Sequence, residues 1–266
     1  MYKKNKYLIS LLLTVSLIFL SSHSCKAIEN DLGLWTPVFI TLPVNEKVSG
    51  QLEVAPRMQN NVTKLNQLFI RPSLTYNLNK SLSFTQGYSW NPGFNPFSNR
   101  SRIWEQVQLN NNFSKLRLEN RFRLEERFIE NVTGVPVRGR YRIGTWIPID
   151  KEKKWTFVTW NEIFINFNSR PHGPQGGFDR NWLFTGINKK ISENINLEGG
   201  YMFQYGNSRS PRQDLLNHVI LVNLYIALPR LMKEKDLKIF HRFNNKTFSG
   251  STSVIRDLVT ADKNYI

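Results

Sequence analysis

The sequence predicts an all-β protein: an antiparallel transmembrane β-barrel of about ten strands, with short periplasmic turns and longer extracellular loops. Three observations support this fold class. Charged and apolar residues alternate over long segments, a leader precedes them, and the connections between them are alternately short and long. A barrel of about twelve strands is the alternative.

The clearest alternation occurs in residues 115–128, where most odd positions are charged and most even positions are apolar. Successive side chains of a strand point to opposite faces, whereas a helix would scatter both sets around its axis. Such a strand suits a wall with hydrocarbon on one side and water on the other. The charged row consists of Arg117, Glu119, Arg121, Arg123, Glu125 and Arg127.

The first 27 residues have the features of a secretory signal peptide. Three lysines precede an apolar run at 7–20, and a stretch of small residues ends at Ala27. Cleavage after Ala27 would remove four lysines, which lowers the formal charge from +16 to +12. It would also remove Cys25, the single cysteine, so we expect neither a disulfide nor a thiolate metal site in the mature chain.

Strand-like segments recur along the rest of the chain. They lie at 32–42, 48–58, 65–77, 81–90, 101–112, 115–129, 136–148, 154–168, 178–189, 195–206 and 215–228. Short turns at 77–81, 110–114, 150–153 and 189–194 alternate with longer loops at 91–100, 130–135, 169–177 and 207–214. Turns at one end and loops at the other are typical of outer-membrane barrels.

Eleven candidate strands cannot form an ordinary antiparallel barrel with both termini in the periplasm. Ten strands between 48 and 228 close consistently, and they leave 28–47 as a periplasmic lead-in, a partial strand or a lumen plug. Twelve strands would need 32–42 in the wall and another strand from the tail. The predicted domains are therefore the signal peptide at 1–27, the barrel at 28–229 and a C-terminal extension at 230–266.

Charged side chains are costly in lipid, so we expect those of the alternating strands to face the lumen. Asn120, Glu126 and Glu105 fall on the apolar faces, and Asn120 indicates either a bulge or a wrong phase. The predicted lumen-lining residues, which are also the candidates for solute binding, are Arg102, Arg117, Glu119, Arg121, Arg123, Glu125, Arg127, Arg138, Arg140, Arg142, Glu162, Asn166 and Glu198.

Several motifs occur in a specific order: Arg-Ile-Trp-Glu-Gln at 102–106, Arg-x-Arg-x-Glu-x-Arg at 121–127, Arg-Gly-Arg-Tyr-Arg at 138–142, Trp-Asn-Glu-Ile-Phe-Ile-Asn at 160–166 and Gly-Phe-Asp-Arg-Asn at 177–181. Together they resemble an uncharacterised family of bacterial outer-membrane proteins, a domain of unknown function, over roughly residues 30–228. The resemblance implies a secreted outer-membrane barrel and no particular activity. Trp182 departs from the family pattern, which has an arginine there.

A ring of arginines raises the local concentration of anions, so the first functional hypothesis is a porin: a narrow channel or a binding site for small anionic solutes. The alternative is a structural barrel whose non-conducting lumen is filled by ion pairs. An outer-membrane lipid-modifying enzyme is a third reading. It is disfavoured because only three histidines follow the leader, His172, His218 and His241, and none has the spacing of a catalytic triad.

The sequence therefore predicts no catalytic residue, no cofactor and no metal site, and a location in the outer membrane of a Gram-negative bacterium. The expected partners are that membrane with its lipopolysaccharide, the barrel-assembly machinery and small anionic solutes. Nucleic acid is not expected, although the pI is near 10.0, because the basic residues alternate with acids in a secreted barrel pattern.

Overall fold

A computed structural model describes residues 27–207 and 213–230, which form fourteen strands. The strands are β1 (Ala27–Trp35), β2 (Val38–Pro43), β3 (Val48–Gln59), β4 (Lys64–Asn77), β5 (Leu82–Trp90), β6 (Gly93–Phe94), β7 (Phe97–Ser98), β8 (Arg100–Asn112), β9 (Arg117–Ile129), β10 (Val137–Pro148), β11 (Trp155–Asn166), β12 (Gly177–Lys190), β13 (Ile195–Gly206) and β14 (Gln213–Ala227). Residues 1–26 and 231–266, which hold most of the predicted leader and extension, lie outside the described residues.

These strands form one sheet that closes on itself. β1 and β2 are two halves of a single wall strand, interrupted at Thr36 and Pro37, and each half pairs antiparallel with β3 and parallel with β14. β6 and β7 form a small hairpin in the connection after β5. The wall of the described barrel therefore has eleven strands, joined by ten antiparallel pairings and one parallel seam.

The all-β barrel is confirmed, and its strand count falls between the two predicted numbers. Of the alternatives for 28–47, the structure shows wall strands: β1 and β2 lie in the wall and form neither a lead-in nor a plug. The physical reason is that an open sheet edge leaves unpaired backbone groups. The parallel pairing with β14 removes both open edges. It also lets an odd number of strands close into a barrel, which is impossible when every pairing is antiparallel.

The connections separate the two ends of the barrel. Turns of four or six residues follow β2, β4, β8, β10 and β12 at one end. The other end has the four-residue turn after β3 and the longer connections after β5, β9 and β11. One turn is held by Asp150, whose carboxylate accepts hydrogen bonds from the backbone N–H groups of Trp155 at 2.8 Å and Lys154 at 3.0 Å. These bonds stabilise the carboxylate and lower the pKa of Asp150.

The two faces of the wall have the reverse of the polarity of a water-soluble barrel. Large apolar side chains such as Phe122 on β9, Leu183 on β12 and Ile220 on β14 are exposed on the outside. Glu125 and Glu162, in contrast, are 0% and 1% exposed inside the barrel. Successive side chains of a strand point to opposite faces. The charged face of each alternating strand lies in the interior, as the sequence predicts.

Asn120 is on the predicted face, and no bulge is present around it. It pairs in register with Leu109 and Ile143, and its side-chain oxygen accepts a hydrogen bond from the Tyr141 hydroxyl at 2.7 Å. Glu105 is also hydrogen-bonded across strands, since its carboxylate accepts a hydrogen bond from Gln86 at 3.0 Å. Asn120 and Glu105 are thus each satisfied by a side chain on an adjacent strand.

The interior has a charged half and an apolar half. The apolar half comes from β1 and β11–β14 and consists of Trp35, Val158, Trp160, Phe164, Trp182, Phe184, Met202, Val219 and Leu221. β12 and β13 approach closely beside it: a Cβ atom on Gly200 would lie 2.3 Å from the Thr185 carbonyl oxygen and 2.6 Å from Cα of Gly186. None of the described residues forms a helix long and apolar enough to cross a membrane.

Candidate functional site in the lumen

Two large chambers lie in the lumen of the barrel that the described residues form. The outer chamber, at the end with long connections, has a volume of about 660 Å³, and the inner chamber, at the end with short turns, has about 710 Å³. Four side chains line both of them: Arg57, Arg71, Arg140 and Trp182. We call these four residues the partition, because they lie where one chamber meets the other.

Glu125 is the centre of the ion-pair network in the charged half. Its carboxylate accepts hydrogen bonds from Arg138 at 2.5 and 3.1 Å, from Arg140 at 2.7 Å and from Arg102 at 3.2 Å. Arg138 is its direct cross-strand partner on β10, and Arg102 lies on β8. One buried carboxylate therefore joins three adjacent strands.

Glu162 extends this network to the fourth strand, β11. It receives a bidentate pair from Arg140, with both N–O distances at 2.9 Å, and a further bond from Arg121 at 2.7 Å. Arg138 also donates to Asp179 on β12 at 2.8 Å. Deeper in the inner chamber Arg142 pairs with Glu119. The network thus runs from β8 to β12, around half of the lumen.

Four lumenal arginines have no carboxylate of the described residues within 4.0 Å: Arg57, Arg117, Arg123 and Arg127. Arg123 donates to the neutral side chain of Gln106 at 2.7 and 3.0 Å, and its guanidinium stacks on Trp104 at 4.0 Å. Arg127 donates to Asn166 at 2.7 Å. The lumen therefore carries positive charge that the acids of the described residues do not neutralise.

The buried polar atoms without a partner have one chemical character. Among the described residues they are Nε of Arg57, Arg71, Arg121 and Arg127, the indole nitrogens of Trp35, Trp104 and Trp182, and the amide nitrogen of Asn91. All of them are hydrogen-bond donors. Because a buried donor costs free energy until it finds an acceptor, the lumen has an excess capacity for acceptor groups.

The structure brings all thirteen predicted residues into the lumen. Twelve of them line a chamber, and the remaining one, Glu125, is enclosed by its arginine partners. Glu198 stands apart from the arginine network, since its carboxylate accepts hydrogen bonds from Asn223 at 2.9 Å and Tyr225 at 3.2 Å.

Seven charged residues of the site were absent from the predicted set: Glu53, Arg57, Arg71, Arg100, Glu130, Asp179 and Arg180. Arg71 pairs with Glu53 at 3.0 Å across β3 and β4. Residues 51–57 alternate polar and apolar except at Ala55, so the period of two was the signal that could have found Glu53 and Arg57. Trp182, the departure from the family pattern, fills the lumen at the partition with an aromatic ring.

The histidines do not form a catalytic constellation in the described chain. His172 lines the outer chamber, whereas His218 lies on the outer face and contacts the Tyr201 hydroxyl. His241 lies outside the described residues. No group of three or more metal-ligating side chains occurs in the part of the chain that the structure describes.

Proteins similar to this chain include one bacterial relative and two solved structures. An uncharacterised protein of Methylorubrum extorquens is 26% identical over 223 residues, which cover 81% of this chain and 96% of the relative. Among solved structures, the NanC porin aligns with 74% of this chain and 99% of its own, at 10% identity and a TM-score of 0.49. The anion-selective porin from Comamonas acidovorans aligns at 12% identity and a TM-score of 0.37, with 68% of this chain but only 53% of the porin.

A family model matches residues 32–214, from the wall strand that precedes β3 to the start of β14. This range includes every strand that carries the lumenal ion-pair network. The chain therefore belongs to the family described as protein of unknown function (DUF2490).

Proposed function

We propose that the protein is an outer-membrane barrel of the porin type whose lumen takes up small anionic solutes. The observation that carries the proposal is the lining of the outer chamber. It contains eight arginines, Arg57, Arg71, Arg100, Arg102, Arg127, Arg138, Arg140 and Arg180, and two acids, Glu130 and Asp179. Such an excess raises the local concentration of anions and repels cations.

The apolar outer face supports a location in a membrane. Exposed residues such as Phe84, Ile103 and Phe122 suit contact with lipid, and the charged interior suits contact with water. The predicted leader directs the chain out of the cytoplasm, and a β-barrel of this kind is typical of the outer membrane of Gram-negative bacteria. Lipopolysaccharide and the barrel-assembly machinery belong to the same proposal.

The inner chamber supports uptake that continues past the partition. It contains seven arginines and four acids, so its lining is also basic. Arg123, Arg121, Arg142 and Arg117 continue the arginine row of the outer chamber towards the short turns. An anion that passes the partition would therefore meet further cationic side chains on its way.

The second candidate function is a structural barrel that does not conduct. The observation that favours it is Glu125, which is enclosed by three arginines and holds β8, β9 and β10 together. In this reading the arginines are partners of buried acids rather than contacts for a solute. The two functions give different roles to Arg117, Arg123 and Arg127, which would contact a solute only in a channel. No carboxylate of the described residues neutralises these three arginines.

Swelling of proteoliposomes tests the proposal. Vesicles that contain the purified full-length protein are diluted into small solutes of similar size that are anionic, neutral or cationic. We expect the fastest swelling with the anion, and slower anion entry for the double variant Arg117→Gln/Arg123→Gln. Swelling at one rate for all three solutes, or none with a heat-modifiable and hence folded barrel, would contradict the channel.

No enzymatic activity is proposed. Acyl transfer and hydrolysis require a nucleophile, a base and an orienting group in contact. The two described histidines lie on different faces of the wall, His172 at the outer chamber and His218 outside. Purified protein incubated with phospholipid is expected to release no fatty acid, and release that depends on either histidine would overturn this expectation.

A further inference from the structure

We infer that the partition contains a binding site for a small organic monocarboxylate, centred on Arg57. This inference rests on the proposed uptake of anions and adds the class of anion that the lumen selects. It starts from a guanidinium that lies at the junction of the two chambers and has no carboxylate of the described residues within 4.0 Å.

Two aromatic rings pack against this guanidinium. Its central carbon lies 3.6 Å from the ring centre of Trp35 and 3.9 Å from that of Phe69. Both rings lie within cation–π distance of the guanidinium, and its N–H groups are left to bind a ligand. A planar carboxylate fits the fork that these N–H groups form.

Further donors surround the same position. The indole nitrogens of Trp35 and Trp182 are buried and have no acceptor among the described residues, and the two rings are 5.4 Å apart. Nε of Arg57 and Nε of Arg71 are also buried without an acceptor. Trp35 and Trp182 are only 5% and 7% exposed. An oxygen-rich group at the partition would satisfy donors that the described protein leaves unsatisfied.

The local charge favours a ligand with a single negative charge. Arg71 is neutralised by Glu53 at 3.0 Å, and Arg140 is held by both Glu125 and Glu162. Arg57 is therefore the one partition arginine with no acidic partner among the described residues. A monoanion would balance it, whereas a dianion such as sulfate would bring an uncompensated charge into a poorly solvated position.

The apolar half of the lumen provides the surface for the rest of the ligand. Trp35, Phe69, Phe164 and Trp182 are all buried near the partition, and Phe164 contacts Trp182 at 4.5 Å between ring centres. A ligand with a carboxylate at one end and a short hydrocarbon part at the other would match both halves. Inorganic anions lack the second part and should bind more weakly.

Tryptophan fluorescence of the purified full-length protein in detergent tests this site. We would titrate sodium butyrate, sodium sulfate and neutral butyramide at pH 7 and at constant ionic strength. Butyrate is expected to give a saturable change, whereas sulfate and butyramide give none in the same range. Arg57→Gln is expected to weaken butyrate binding by about tenfold or more, the size expected for loss of a charge-assisted pair.

Two further variants keep the test decisive. Arg57→Lys retains the charge without the planar fork and is expected to bind butyrate between wild type and Arg57→Gln, which covers the case in which Arg57→Gln does not fold. Lys154→Gln removes one charge from an exposed turn and is expected to bind as the wild type does. Equal responses to butyrate and sulfate, or unchanged butyrate affinity in Arg57→Gln, would overturn the inference.

The two experiments distinguish failure of the Arg57 site from failure of the proposed anion uptake. Anion-selective swelling without a saturable butyrate signal would remove the Arg57 site and leave the proposed uptake in place. A butyrate signal that Arg57→Gln abolishes, in vesicles that admit no solute, would support the site and contradict the channel.

Discussion

Arg140 and Glu162 form a bidentate ion pair across β10 and β11, with both N–O distances at 2.9 Å. They are diagonal neighbours in the sheet, since the residue directly opposite Glu162 is Arg142. Glu162 is 1% exposed and also binds Arg121. A single buried carboxylate thus compensates two arginines on two different strands.

Replacing Glu162 by glutamine is expected to destabilise the barrel and raise its preference for anions. The amide removes one negative charge beside Arg121 and Arg140, and breaking a buried pair costs about 3 kcal/mol or more. Urea unfolding in detergent would give the loss in free energy of unfolding. Glu152→Gln is the control, because its ion pair with Lys154 is exposed and should leave stability unchanged.

Replacing Arg123 by glutamine is expected to cost less stability than Glu162→Gln and to lower the preference for anions. Arg123 contacts the neutral Gln106 and the ring of Trp104, so its loss should cost about 1–2 kcal/mol. It should nevertheless reduce anion preference, because it removes uncompensated charge from the inner chamber. The reversal potential under a salt gradient measures the preference for anions. A stability loss as large as that of Glu162→Gln, with unchanged selectivity, would favour the structural barrel.

Replacing Trp182 by leucine is expected to widen the partition. The indole lines both chambers, so a smaller side chain should raise single-channel conductance by at least about twofold. Trp155→Leu is the control, since Trp155 is exposed at the start of β11 and lines neither chamber. Equal conductance of the two variants would show that the partition does not limit ion flow.

Replacing Gly200 by alanine tests the close approach of β12 and β13. The new Cβ would lie 2.3 Å from the Thr185 carbonyl oxygen, a backbone atom that can move only if the strands separate. We expect a loss of about 1–3 kcal/mol in the free energy of unfolding. Gly199→Ala is a matched control, because nothing lies within 4 Å of its Cβ, and it should unfold as the wild type does.

Acid is expected to loosen the 150–154 turn. The pKa of Asp150 is lowered mainly by the hydrogen bond from the Trp155 backbone N–H, so its carboxylate stabilises the fold above its unfolded pKa. That contribution is lost as the pH falls through the lowered value, below the ordinary 3.8. The protection of the Trp155 amide against hydrogen exchange, taken relative to its intrinsic rate at each pH, should therefore fall as the pH drops below 3.8. Asp150→Asn should show no such dependence on pH.

Much of the wall could be read from the sequence because a strand that separates lipid from water has a simple period. β9 shows this: its charges fall on one face and Phe122 and Phe128 on the other, and the structure keeps that phase. The closure could not be read in the same way. Whether 27–43 joins the wall depends on a parallel pairing with β14, nearly the whole barrel away in sequence.

The site was only partly predictable for a related reason. Period alone indicates which side chains face inward, so the arginines of β9 and β10 could be named. It does not indicate which inward residues meet across the lumen. The contacts of Arg57 with Trp35, Phe69 and Trp182 join four strands, β3, β1, β4 and β12. Asp179 likewise pairs with Arg138 on another strand as well as with its neighbour Arg180.

The reversal potential of the wild-type protein in a planar bilayer tests the central claim most directly. The purified full-length barrel, shown to be folded by heat-modifiable migration on a gel, separates two potassium chloride solutions of unequal concentration. The excess of arginines in both chambers predicts a reversal potential with the sign expected when chloride is the more permeant ion. In the double variant Arg117→Gln/Arg123→Gln this potential should shift towards zero. A potential of the sign set by potassium, or no conductance at all, would contradict the claim.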